Sequence, residues 1–392
     1  MRISPRVLSV SLLLVLAGGA ASALAQAPLR MGEVRPHRAE SPHPYPLGAE
    51  SRPVVWSDRV VSPGAKFLRI HFTGLSLAPG DYVTVTDPEE KQVWTYSGKG
   101  PHGDGDVWSF AVEGDTALVR IHGGTGAGNG YLIDAVGHGT RLMNPVPEQI
   151  CGTDGREDVA CHSPEIDAAQ RPVARLLWIK GNLILACTGW LVAGSNPDTL
   201  ITNQHCVSKK PEVRSLQATF NFQLTACGGG ATATTSTYAG GALLRSNNLV
   251  PRGQREGLDY TLLTLQGNPE GTWGELTPTS KSVAAGDLIW FIQHPGGGPK
   301  TIGYWDDASH TVRCGVATVG QTYGGSAPGS QTGYSCDSEA GSSGSPIVDA
   351  GTGRVIALHH FGNAGTGGCL NAGTSMSRIC ADAGSLLGCV SN

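Results

Sequence analysis

Charged residues are scarce in this sequence of 392 residues and make up only 15% of it. Glycine, in contrast, occurs 56 times and proline 24 times. Few charges and many turn-forming residues disfavour long, salt-bridged helices and favour short strands joined by turns. The formal net charge of -4 gives no basic surface for a polyanion, so we expect no nucleic-acid partner.

Long apolar runs are also missing after the first 25 residues, and we therefore expect no membrane association. The N-terminal residues themselves have the features of a signal peptide. Arg2 and Arg6 precede an apolar run at residues 8–16 that is too short to span a bilayer, and Ala23 and Ala25 fit a small-residue cleavage pattern. We assign residues 1–25 to a signal peptide and expect the protein to be secreted.

Cysteine is absent from the first 150 residues, and all ten cysteines lie between Cys151 and Cys389. An even number of cysteines in an exported chain predicts a framework of disulfides. No two of them have the Cys-x-x-Cys spacing of a zinc site, so we expect neither a metal nor another cofactor.

Composition divides the rest of the chain into three parts. Residues 26–50 are polar and proline-rich, which is typical of a linker. Residues 51–145 contain short alternating segments separated by turns, a pattern that predicts a β-sandwich and resembles CUB-like or jelly-roll modules. Residues 146–392 are again rich in strand patterns, with one short helix expected at about residues 377–387.

A glycine-flanked serine is the first feature that indicates chemistry. Residues 341–346 read Gly-Ser-Ser-Gly-Ser-Pro, with Ser343 between the two glycines. A nucleophilic serine needs a sharp turn that exposes its hydroxyl and backbone N–H groups that face the developing oxyanion. Glycine allows such a turn because it adopts positive φ without steric cost. In a chain with so many glycines, an ordinary loop would explain this motif alone equally well.

Two further motifs supply the partners that such a serine requires. His205 follows an apolar strand pattern in Thr-Asn-Gln-His-Cys, and Asp259 opens the apolar run Asp-Tyr-Thr-Leu-Leu. A carboxylate at the start of a buried strand is costly unless it has a polar partner. An imidazole N–H is such a partner, and the contact orients the base. A single histidine would be interpreted as structural, but the three motifs together predict a catalytic site.

The order His, Asp, Ser and the local sequences around them resemble the chymotrypsin-like (trypsin-like) secreted serine peptidases, and most of all the bacterial lysyl-endopeptidase-like enzymes. The resemblance covers about residues 148–392. It implies two packed six-stranded antiparallel β-barrels with the active site between them. His205 would be the general base, Asp259 its orienter and Ser343 the nucleophile, and the backbone N–H groups of Gly341 and Ser343 would form the oxyanion hole.

The resemblance also implies three of the disulfides, which are Cys151–Cys369, Cys161–Cys227 and Cys187–Cys206. Elimination leaves Cys314–Cys336 and Cys380–Cys389 as the other two. The expected activity is hydrolysis of peptide bonds in protein or peptide substrates through an acyl-enzyme, by a chain that we expect to be a monomer.

The chain departs from its animal relatives before the nucleophile, where Ser342 replaces an aspartate that pairs with a newly formed N-terminus. Latency, if the protein is made as a zymogen, should therefore come from the segment between residue 28 and about residue 145, which would cover the cleft. Arg141 is a plausible site of self-processing.

Four residues are candidates for the specificity pocket, and they leave two interpretations open. Asp337, followed by Ser338, lies where trypsin-like relatives place the acid that binds Arg or Lys of the substrate, and on this basis we expect cleavage after a basic residue. It could equally be a turn residue that binds its own backbone. His359 could instead meet a Glu side chain, as in Glu-specific relatives, or His359 and His360 could be strand residues that face opposite sides. A third alternative is a catalytically silent extracellular binding protein on the same fold.

Overall fold

The computed structural model describes residues 28–48, 54–124, 128–140, 147–247, 257–323, 326–362 and 369–391. The expected signal peptide and Arg141 lie outside these ranges. None of the helices within them is both long and apolar enough to cross a membrane.

The N-terminal part is a β-sandwich, as its alternating pattern predicts. In β8, for example, Ala117, Val119 and Ile121 are completely buried and alternate with less buried residues. One sheet has the order β2-β8-β4-β5, and the other contains β1-β9-β3-β6 with β7 also on β3. The strands are β1 (Leu29–Glu40), β2 (Val54–Val61), β3 (Phe67–Ser76), β4 (Tyr82–Thr86), β5 (Val93–Ser97), β6 (Val107–Trp108), β7 (Val112–Glu113), β8 (Thr116–His122) and β9 (Gly130–Gly139).

The prediction of a linker at residues 26–50 is wrong for its first half. Nearly half of it forms the 12-residue strand β1, whose backbone pairs with β9 over Gly32–Glu40. The prolines on which the linker prediction rested, Pro42, Pro44 and Pro46, lie after β1, whereas Pro36 sits inside β1, just before a register shift between Pro36 and Ala39. Proline is compatible with a strand at such an irregularity.

The next part is a closed antiparallel barrel of six strands in the order β12-β15-β18-β19-β14-β13, with β13 returning to β12. Its interior contains fully buried residues such as Leu176, Trp178 and Phe220. The elements from here are β10 (Pro147–Gln149), β11 (Arg156–Asp158), α1 (Asp167–Gln170), β12 (Val173–Lys180), β13 (Leu183–Leu191), β14 (Thr199–Thr202), α2 (Lys210–Arg214), β15 (Gln217–Phe220), β16 (Leu224–Ala226), β17 (Gly229–Thr232), β18 (Ser236–Asn247) and β19 (Tyr260–Leu265).

The last part is a strongly curled sheet in the order β11-β21-β20-β25-β26-β27-β23-β22. It is therefore a half-open counterpart of the first barrel, and together the two give the expected two-barrel architecture. Its elements are α3 (Pro269–Trp273), β20 (Ile289–Gln293), β21 (Thr301–Gly303), β22 (Val316–Gln321), β23 (Gln331–Tyr334), β24 (Ser338–Glu339), β25 (Pro346–Asp349), β26 (Val355–Phe361), β27 (Asn371–Ser375) and α4 (Met376–Ala383). The expected terminal helix is α4 followed by a 3₁₀ turn at Gly384–Leu386.

The sandwich and the first barrel share one continuous sheet through β1. Its first residues pair with β13 (Leu29 with Ala186, for example), and the rest pair with β9. The contact is reinforced by buried Arg69, whose guanidinium donates to the carbonyl of Ser215 on the barrel side at 2.7 Å. Backbone hydrogen bonds therefore attach the sandwich to the first barrel.

Gly32 is the point where β1 passes from one partner strand to the other, because it pairs with both Ile184 and Gly139. A Cβ at this position would lie 2.3 Å from the backbone oxygen of His138. We expect Gly32→Val to lower the free energy of unfolding by about 1–3 kcal/mol, the usual cost of overpacking. Denaturant unfolding of the purified protein measures this, with Arg38→Val on an exposed part of β1 as the control. Equal stability of the two variants would contradict the close approach.

Candidate active site

His205 and Asp259 lie at the ends of two neighbouring strands of the first barrel. His205 follows β14, and Asp259 directly precedes β19, which pairs with β14. The Asp259 carboxylate accepts a hydrogen bond of 2.9 Å from the His205 backbone N–H and one of 2.7 Å from His205 Nδ1. Because these bonds fix the ring and occupy Nδ1, they leave Nε2 for proton transfer.

His360 is a third partner of the same carboxylate. Its Nδ1 lies 3.2 Å from Asp259 Oδ2, and its Nε2 lies 2.6 Å from Gln331 Oε1. Burial opposes ionisation of Asp259, but His205 and His360 outweigh it and hold the pKa of Asp259 below its ordinary value. We expected His360 in the specificity pocket. The structure places it against Asp259 instead, because successive residues of β26 face opposite sides.

Ser343 lies in a tight turn between β24 and β25. Gly341 and Gly344 on either side have φ values of 102° and 89°, in the region that favours glycine. A Cβ on Gly344 would lie 2.1 Å from the backbone oxygen of Thr188, so only glycine fits this close approach to β13. The Thr188 N–H donates to Ser343 O at 2.9 Å, and the Thr188 hydroxyl donates to Gly341 O at 2.9 Å.

These contacts hold the turn by its carbonyl oxygens. Within the described ranges, neither the Gly341 N–H nor the Ser343 N–H donates to a protein acceptor. Two unpaired backbone donors beside a serine are available to an oxyanion.

The link from His205 to Ser343 is not a hydrogen bond in this conformation. His205 Nε2 is buried and has no partner among the residues described. The two residues are nevertheless neighbours through Cys206, because its Sγ lies 4.0 Å from Ser343 O and within 4.8 Å of a His205 ring nitrogen. Catalytic hydrogen bonds commonly tighten only when substrate binds, so this geometry is compatible with proton transfer.

Ser342, which replaces the activating aspartate of animal relatives, is completely buried, and its hydroxyl donates to Gln293 Oε1 at 2.6 Å. The Gln293 amide in turn donates to Asp337 O at 2.8 Å. A neutral side-chain bridge from β20 therefore supports the loop before the nucleophile, where a buried salt bridge would otherwise be needed. Gln293 is not recognisable as a functional residue from the sequence, because a glutamine inside an apolar strand carries no motif.

Asp337 is completely buried, and both of its carboxylate oxygens accept backbone hydrogen bonds. Oδ1 accepts from the Cys151 N–H and Oδ2 from the Gly155 N–H, each at 2.8 Å. Burial raises the pKa of Asp337 above its ordinary value, although these two donors act in the opposite direction. The contacts assign Asp337 to the attachment of residues 151–155. Asp337 therefore binds the backbone of a distant segment and not its own backbone, as the turn interpretation had it, and these contacts disfavour direct recognition of a basic side chain.

The other pocket candidates form polar pairs with residues of neighbouring strands. The Ser338 hydroxyl donates to Asn371 Oδ1 at 2.7 Å. His359 is completely buried and shares a hydrogen bond of 2.6 Å between its Nδ1 and the Tyr334 hydroxyl. These residues lie on β23, β24, β26 and β27, and none of the four carries a permanent charge.

Five disulfides connect all ten cysteines, and they are the pairs expected from the sequence. Cys187–Cys206 ties β13 to the segment that carries His205. Because both cysteines are oxidised, their proximity to His205 does not form a metal site. The other four are Cys151–Cys369, Cys161–Cys227, Cys314–Cys336 and Cys380–Cys389.

A closed six-stranded barrel and a curled second barrel, with a histidine, an aspartate and a serine brought together from both, define a serine peptidase of the chymotrypsin-like class. More specifically, residues 152–375 match the family model described as lysyl endopeptidase, C-terminal domain. The chain belongs to this family.

A curated relative and several solved structures are also similar to the chain. Secreted RxLR effector protein 73 of Plasmopara viticola is 28% identical over 337 residues, which are 81% of this chain and 79% of the relative. The inactive form of a mutant of Rv3671c from M. tuberculosis H37Rv is 16% identical to this chain with a TM-score of 0.40, and the match covers 59% of this chain and 94% of that one. A Glu endopeptidase in complex with MPD is 18% identical to this chain, also with a TM-score of 0.40. The match covers 59% of this chain and 96% of that one.

Proposed function

We propose that the protein is an active serine endopeptidase that works outside the cell, with Asp259, His205 and Ser343 as its triad. The observation that carries the proposal is the double hydrogen bond from His205 to the buried Asp259 carboxylate, beside a serine whose turn keeps two backbone N–H groups unpaired. Five disulfides are consistent with an oxidising, extracellular compartment.

Each group has one role in the proposed reaction. His205 Nε2 accepts the proton of the Ser343 hydroxyl while Oγ attacks the carbonyl carbon of the substrate. The N–H groups of Gly341 and Ser343 donate to the oxyanion, and Asp259 stabilises the imidazolium. The same proton is then given to the leaving amine, which departs and leaves an acyl-enzyme. Water repeats the sequence and releases the acid.

For the residue before the scissile bond, we propose an acidic side chain in preference to a basic one. Recognition of Lys or Arg by Asp337 would compete with the two backbone hydrogen bonds that its carboxylate accepts. His359 lies on the strand β26, next to His360, and its ring is oriented by Tyr334. An imidazole oriented in this way is a suitable partner for a substrate carboxylate, and the two backbone donors to Asp337 offset part of the repulsion that its carboxylate would exert.

A catalytically silent binding protein is the second candidate, but the described residues favour it less. Catalytically silent proteins on such a fold usually lack the base, the nucleophile or the glycine turn. All of these are present, and the Asp259–His205 contact is made.

The triad is tested by Ser343→Ala and His205→Ala, which should each lower kcat by about a million-fold, because the base and the nucleophile act as one unit. The measurements are hydrolysis of a peptide library and covalent labelling by a fluorophosphonate. Ser208→Ala, a serine outside the proposed site, is the control. If the wild-type protein is folded but is neither labelled nor active, the silent binding protein becomes the better account.

The pocket is tested with matched peptides that differ only in Glu, Lys or Ala before the scissile bond. We expect the wild-type protein to prefer Glu, and His359→Gln to lower kcat/KM for Glu by about 10- to 100-fold, the worth of one hydrogen bond to a charged group. The Ala peptide should change little. A wild-type preference for Lys that Asp337→Asn abolishes would contradict the proposal and restore the basic-residue interpretation.

A further inference from the structure

The first residues of β1 lie against the loop that carries the proposed oxyanion hole. A Cβ placed on Gly341 would be only 3.2 Å from Leu29 Cδ2, and one on Gly297 would be 3.0 Å from Met31 Sδ. Leu29 and Met31 are both buried, in one apolar cluster with Ala340, the residue before Gly341. The start of β1 thus packs on the catalytic cleft itself, although the rest of the strand belongs to the sandwich.

The same residues occupy a strand edge that a peptide substrate would otherwise find open. Over residues 183–186, β13 pairs with β12 on one side and with β1 on the other, Leu29 facing Ala186. Ala186 directly precedes Cys187, whose disulfide holds the His205 segment. An unpaired edge beside a catalytic serine is a binding site for an extended peptide, since backbone hydrogen bonds can form with any sequence.

The direction of β1 identifies which part of a substrate it replaces. β1 is antiparallel to β13, starts beside Gly341 and runs away from the site toward β9. After acyl-enzyme formation, the leaving peptide has the same polarity, because its new amino end lies at the serine and its chain leads outward. The other half of the substrate, which remains as the acyl group, has the opposite polarity, because its carboxyl end is bonded to the serine.

We propose that Leu29 and Met31, at the start of β1, occupy the leaving-group side of the cleft and determine which substrates the peptidase accepts, an inference that rests on the proposed function. A substrate with several residues after the scissile bond must displace these side chains, whereas one with a small leaving group need not. In this displacement, the residues of β1 before Gly32 leave β13. The rest of β1, from Gly32 to Glu40, stays paired with β9, so the strand bends at Gly32.

The experiment compares two substrates with the same acyl part on the full chain as it is secreted. One is a p-nitroanilide, and the other is a peptide with four residues after the scissile bond. Leu29→Asp should raise kcat/KM for the long peptide by about 10-fold or more, because a buried carboxylate releases the start of β1. Its effect on kcat/KM for the anilide should be at least about 10-fold smaller than its effect on the long peptide, because the anilide leaving group does not extend to the place of Leu29 and Met31.

Arg38→Asp, on an exposed position of the same strand, is the matched control and should change neither rate. All rates are divided by the number of active sites that a fluorophosphonate labels, so that a loss of folded protein does not imitate an effect. If Leu29→Asp is not labelled at all, Met31→Ala is the milder replacement for the same comparison.

The possible failures are distinguishable. Absence of labelling in the wild-type protein would overturn the proposed function itself. A second outcome is normal labelling together with equal effects, or no effects, of Leu29→Asp and Met31→Ala on the long peptide and the anilide. This outcome would overturn only the role of Leu29 and Met31.

Discussion

A buried carboxylate that must be kept ionised is the constraint on which the site depends. Asp259 stands at the junction of a barrel strand and a loop, with a positive φ of 49° that is uncommon for a residue other than glycine. The cost of such burial is offset only by donors, and His205 supplies two of them while His360 supplies a third. Satisfying Asp259 therefore orients the imidazole of the proposed base at the same time.

The second half of the site is organised from β13. Thr188 donates hydrogen bonds to two carbonyl oxygens of the nucleophile turn. The preceding residue, Cys187, forms a disulfide with Cys206, which directly follows His205. One strand of the first barrel thus sets the positions of a base from its own barrel and a serine from the other. Gln293 and Ser342 complete the support with neutral hydrogen bonds.

Much of this arrangement could be predicted from the sequence, because it is encoded locally. The glycine turn, the Thr-Asn-Gln-His-Cys segment and the acidic residue before an apolar strand each carry their own chemical signature. The β-sandwich was predictable from its period-two pattern. The positions of β1 and His360 were not, since pairing with a distant strand and the side of a strand that faces Asp259 depend on tertiary contacts. Asp337 was ambiguous for the same reason, because its partners are backbone N–H groups of residues 151 and 155, which no motif reports.

β1 connects the two halves of the molecule in a way that the sequence hides. It belongs to the sandwich by most of its hydrogen bonds and to the catalytic barrel by its first four pairs. The sandwich therefore contributes a strand to the sheet of the first barrel. Its first strand forms part of the surface on which substrates must lie, so the stability of the sandwich and access to the cleft depend on the same backbone pairing.

The central claim is that residues 205, 259 and 343 form one proton-transfer unit. The most direct measurement is the NMR spectrum of the protein with isotope-labelled histidine, recorded before and after a fluorophosphonate modifies Ser343. The account predicts a deshielded Nδ1–H signal of His205 that depends on Asp259, and a clear shift of the His205 ring resonances when Ser343 is modified. A labelled, folded protein whose His205 resonances do not respond to the modification would contradict it.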